Sequence, residues 1–94
     1  MEVTMTEPKA ESFLINTGSG AAWSSRNTLE KAVEDAKTAH AWAVVGRGDF
    51  RPYTIESTYY DLDRGRWITL EIHPVKPFTS KLEARTFLRL FEGA

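Results

Sequence analysis

The chain has 94 residues, of which 41% are hydrophobic and 27% charged, with no cysteine and a formal net charge of −1 from 12 basic and 13 acidic residues. This describes one soluble domain with a small core. It excludes disulfides, a thiolate metal site and a cysteine nucleophile, as well as the charge excess of a general nucleic-acid binder or of an acidic nucleic-acid mimic. No stretch reaches the ~20 apolar residues of a membrane helix. The acidic, polar start lacks a signal peptide's apolar run, so a soluble, cytoplasmic protein without membrane contact is expected.

Residues 1–10 hold few core candidates and read as a flexible N-terminal segment, leaving 11–94 as a single α+β domain. Ser12-Phe13-Leu14-Ile15-Asn16 reads as a short strand whose consecutive apolar residues predict a central position in a sheet. Thr17–Ser25 then reads as a loop containing Gly18-Ser19-Gly20. Strand, glycine loop and helix is how many phosphate sites begin. This chain, however, has no Gly-Lys pair, holds Trp23 where a dinucleotide fingerprint needs a small residue, and starts its helix only near Asn27. What remains is a connector of about ten residues, long for its kind, in which Trp23 is either tucked against the core edge or exposed as an anchor.

Asn27-Thr28-Leu29-Glu30 has the form of a capping arrangement opening the first helix. Leu29, Ala32, Val33, Ala36 and Ala39 or His40 recur at helical spacing. The stripe is mostly alanine, which lets the helix lie close to a sheet. His40 is expected at the helix C-terminus, where a cation suits the dipole. Trp42-Ala43-Val44-Val45 reads as a strand and Gly46-Arg47-Gly48-Asp49 as a turn, so the Arg-Gly-Asp tripeptide is read as turn material.

Pro52–Tyr60 and Arg66–His73 are the two clearest strands, joined by Asp61-Leu62-Asp63-Arg64-Gly65. Pairing them places Tyr59 by Ile68, Ser57 by Leu70 and Ile55 by Ile72 on the buried face. The outer face then carries Tyr60, Trp67, Thr58, Thr69, Glu56, Glu71, Thr54 and His73. Ser80-Lys81-Leu82-Glu83 is a capping box opening the second helix, with Ala84, Phe87, Leu88 and Phe91 as its stripe and Gly93 as its stop. The expected fold is therefore α+β: a single, mostly antiparallel sheet of about four strands with two helices on one face, in the order β-α-β-β-β-α. The first strand is open to a parallel pairing.

No catalytic or cofactor motif appears. His40 and His73 lie on different elements without metal-site spacing, so neither metal nor cofactor is expected. Glu56 and Glu71 side by side would be a carboxylate pair of the kind hydrolases use, but an open sheet face offers it no cleft. A non-enzymatic reading is preferred. An exposed aromatic patch on the outer face marks an interaction surface. Tyr60 and Trp67 are its expected anchors, Arg64 and Arg66 its rim charges, and Trp23 a further candidate. The partner is expected to be a protein, with homodimerisation through the same face equally compatible. Single-stranded nucleic acid stacking on the aromatics is the alternative; the dispersed arginines and the two glutamates among the stacking residues oppose it.

The order α-β-β-β-α over residues 28–91 resembles that of double-stranded-RNA-binding domains, in element order alone. That family uses a lysine-rich start to its last helix, where this chain has Ser80-Lys81-Leu82-Glu83-Ala84-Arg85. In being short, motif-free and cysteine-free, the chain is similar to the small inhibitors of phages and other mobile elements, anti-CRISPR proteins among them.

Overall fold

A computed structural model describes residues 8–25 and 27–91. The elements are β1 (Ser12–Asn16), β2 (Ala22–Ser25), α1 (Leu29–Arg47), β3 (Thr54–Asp61), β4 (Arg66–Pro74) and α2 (Lys81–Phe91). The strands form one open sheet in the order β2-β1-β3-β4, and every neighbouring pair is antiparallel. The α+β class, the four-stranded sheet and the two helices are those expected from the sequence. Of the lead-in expected over residues 1–10, only Pro8–Ala10 are described, without regular structure. The expected helix stop at Gly93 lies outside the described residues.

Two stretches exchange roles relative to expectation. Ala22–Ser25, expected as loop, is the edge strand β2, paired Phe13 to Ser25 and Ile15 to Trp23. The glycine loop is the turn of this first hairpin. Thr17 N–H donates to Ala21 O at 2.8 Å, and Thr17 Oγ1 accepts from Ala21 N–H at 3.0 Å. The turn lies so close to Arg51 that a β-carbon at Gly18 would meet Arg51 Cβ and its carbonyl oxygen. Trp42–Val45, expected as a strand, is the C-terminal part of α1 instead. The helix runs on because Ala36, His40, Ala43 and Val44 keep the 3.6-residue period and stay buried. It ends at Gly48, in the left-handed conformation (φ 64°), with the N–H groups of Gly48 and Asp49 reaching the carbonyls of Val44 and Ala43. The N-cap is Thr28, whose Oγ1 accepts from Lys31 N–H at 3.2 Å, not Asn27.

With all pairings antiparallel, the parallel option for β1 is ruled out. α1 lies across β1 and β3 on one face of the sheet, while α2 packs on the C-terminal half of α1 and not across the strands. One cluster joins Phe13, Ile15, Ile55, Tyr53 and Val75 to Ala32 and Ala36. Burying side chains such as Ile15 and Ile55 completely contributes about 1.5–3 kcal/mol each. The second cluster joins Ala41 and Val44 to Phe78, Ala84 and Leu88. α2 opens as the sequence predicts, with Ser80 Oγ accepting from Glu83 N–H at 3.1 Å.

His40 stands between the two clusters. It is fully buried within α1 and is not the terminal residue expected. Its ring lies 4.9 Å from Tyr53 and 5.5 Å from Phe78, and Nε2 accepts from Phe78 N–H at 3.3 Å. Nε2 must therefore be unprotonated, which leaves the proton on Nδ1, a buried atom with no hydrogen-bond partner. Burial pushes its pKa down, opposed by the charge of Asp49. No helix among the described residues is long and apolar enough to cross a membrane.

Candidate functional site

Beside the turn, β3 and β4 pair as the sequence predicts: Tyr60 with Trp67, Tyr59 with Ile68 and Thr58 with Thr69. A bulge between Ser57 and Thr58 then shifts the register by one, giving Ser57 opposite Glu71, Glu56 opposite Ile72 and Ile55 opposite His73. The bulge exchanges the faces of the far half of β4. Ile72, expected inside, emerges on the sheet face away from α1 and is 60% exposed. His73, expected on the surface, turns to the helix side, where its Nε2 meets Ser57 Oγ at 2.7 Å. Glu71 goes with it, within 3.7 Å of His73. Glu56 and Glu71 therefore lie on opposite faces, and the expected carboxylate neighbours are not brought together.

Among the described residues no element covers the face away from α1. Tyr60 and Trp67 stand at one end, ring centroids 5.5 Å apart in an edge-on arrangement, the tryptophan 48% exposed. Ile72 continues the apolar surface along β4; Leu70, exposed at the bulge, has no register partner. A depression of about 370 Å³ opens beside Trp67, lined by Ser12, Leu14, Ser24 and Thr58. Its floor hydroxyls point inward: Thr58 Oγ1 donates to Ser12 O at 2.8 Å, and Ser12 Oγ donates to Ser25 O at 3.3 Å. One step along β3, the half-buried Glu56 carboxylate is fixed by two neutral donors, Asn16 Nδ2 at 2.8 Å and Thr69 Oγ1 at 2.9 Å.

No family model, curated protein or solved structure matches this chain. The geometry therefore carries the functional reading. It brings Tyr60 and Trp67 together as expected and separates the other candidates from them. Arg66 pairs with Asp61, which alternation along β3 places on the helix side. Arg64 lies in the turn with its Nε 3.5 Å from Asp61 Oδ2. Trp23 is paired with Ile15, so it too sits on the helix side, 38% exposed at the sheet edge. The Arg-Gly-Asp tripeptide is a helix cap whose Asp49 is held bidentately by Arg51, at 2.9 and 2.8 Å. That guanidinium holds the Asp49 carboxyl well below the usual carboxylate range.

Leu14, Asn16 and Ile72 are the face residues that sequence reasoning missed. Asn16 and Leu14 follow from alternation once β1 is placed centrally. Ile72 depends on the bulge, which no residue type announces.

Proposed function

We propose that this protein is a small, non-catalytic binding module that docks a protein partner by surface complementarity on its open sheet face. Tyr60 and Trp67 are the anchors, and Ile72 extends the apolar contact. The observation that carries the reading is the alignment of Tyr60, Trp67 and Ile72, each at least two-fifths exposed, on one uncovered face. Aromatic anchors beside a depression are where binding energy concentrates in protein interfaces. Arg64 and Arg66 lie off this face, at the turn and on the helix side, and act at most on the partner's approach through their charge. The same profile suits an inhibitor that occludes a larger host complex.

Single-stranded nucleic acid is the rival reading, and the position of Glu56 weighs against it. A carboxylate in the middle of the stacking surface repels phosphate, whereas nucleic-acid affinity rests on neutralising it. The test compares the wild type with a Tyr60→Ala/Trp67→Ala variant as bait in the native host. The expected outcome is a protein partner retained by the wild type and lost by the variant. An electrophoretic shift of single-stranded DNA or RNA at about 150 mM salt that disappears in Trp67→Ala would replace this reading with the nucleic-acid one. A second copy of the chain on this face would show as a concentration-dependent mass in sedimentation equilibrium.

A further inference from the structure

We infer that the partner presents an arginine or lysine side chain to Glu56, two positions along an extended segment from an apolar side chain that fills the depression beside Trp67. The inference rests on the open face being the binding face and adds the chemistry of its occupant.

The first support is charge. By register, the open face is built from Ser12, Leu14 and Asn16 of β1, Ala22 and Ser24 of β2, alternate residues of β3 from Thr54 to Tyr60, and Trp67, Thr69 and Ile72 of β4. Glu56 is the only charged side chain in that set. Its two hydrogen-bond donors are an amide and a hydroxyl, so they fix the carboxylate without neutralising it. Among the described residues no cation pairs with it within 4.0 Å. A half-buried carboxylate already held in place meets a partner cation without first being ordered, which favours a charge-assisted contact.

The second support is the hydrogen-bond balance around Glu56. Asn16 uses its amide hydrogens on Glu56 and on Thr54 Oγ1. Thr69, Thr58 and Ser12 donate to Glu56, Ser12 O and Ser25 O respectively. The centre of the face therefore offers acceptors, while the remaining hydroxyls, of Ser24, Thr54 and Tyr60, stand at its margins. A guest matched to this pattern brings donors and positive charge. Leu14 and Ile72, directly opposite Glu56 on the two neighbouring strands, supply apolar walls for the aliphatic stem of a lysine or arginine.

The third support is spacing. Thr58, in the floor of the depression, lies two residues from Glu56 on β3, about 7 Å at strand rise. An extended partner segment repeats same-side side chains at that interval. One apolar and one basic residue at i and i+2 would engage both features together.

The test pans a random peptide library against the full chain, in parallel with the Glu56→Gln and Trp67→Ala variants. Glutamine keeps the shape of Glu56 and removes the charge; its oxygen can accept from Asn16 Nδ2 while its amide donates to Thr69 Oγ1, reversing that bond. The expected result is a wild-type pool enriched in peptides with Lys or Arg two positions from an apolar residue. Their affinity should fall about tenfold in Glu56→Gln and be lost in Trp67→Ala. Peptides that need Trp67 but show no basic preference, or whose preference survives Glu56→Gln, overturn this inference and leave the binding face standing. A library that yields no Trp67-dependent binder overturns both. Thermal melting of each variant reports whether it is folded.

Discussion

His40 lies in α1 with its ring between Tyr53 and Phe78, its Nε2 committed to the Phe78 N–H and its Nδ1 without a partner. Protonating Nε2 would set two donors against each other and place a charge among aromatic rings. Tyr53 and Asp49 are the titratable groups facing it, and only the Asp49 charge favours the imidazolium. The folded pKa thus lies below the ordinary 6.5, so the unfolded chain takes up the proton first. The stability contributed by the neutral ring is complete above about pH 6.5 and is lost as pH falls from there toward the folded value. The urea midpoint of the wild type should accordingly drop more between about pH 7.5 and 5 than that of His40→Gln, whose side-chain oxygen accepts the same N–H without titrating. Equal drops in the two proteins would show that His40 does not set this dependence. The sequence revealed a histidine on the apolar stripe of a helix. It did not reveal that the helix continues past it, and that continuation is what buries the ring.

At the scale of elements, α2 is held by one helix. Its buried residues, Ala84 and Leu88, meet Ala41, Val44 and Phe78, whereas β1 and β3 are covered by α1 and flanked by strands on both sides. Regions with few apolar contacts open locally at low cost. Backbone amides in α2 should therefore exchange with solvent faster than those of β1 and β3; equal protection would mean that the molecule opens as one unit. The same elements explain what the sequence could and could not reveal. β3, β4 and their turn were legible because aromatic and β-branched residues alternate on either side of a short polar loop. α2 was legible from its capping box. Ala22–Ser25 was not, because Ala-Trp-Ser-Ser lacks strand composition and becomes a strand only by pairing with β1. Trp42–Val45 carries strand-like residues, yet packing against α2 and the glycine cap at Gly48 keep it helical. The bulge that turns Ile72 outward leaves no trace in composition.

The described residues form a long, thin body, 58 × 26 × 17 Å, with a radius of gyration of 16.2 Å. A compact chain of this length would have about 12 Å. The excess fits two small cores set end to end along α1, with one sheet face left open beside them. This arrangement leaves the open face outside both cores. Trp67 is half exposed and belongs to neither core, so Trp67→Ala should lower stability by less than about 1 kcal/mol. If the open face is the docking surface, the same change removes one of its two aromatic anchors. The direct measurement is a calorimetric titration of the captured partner into wild type and Trp67→Ala, each first shown to be folded at the titration temperature by a cooperative melting transition. Affinity at least tenfold weaker in the variant is the expected result, and equal affinity for the two proteins would contradict a binding face built on Trp67.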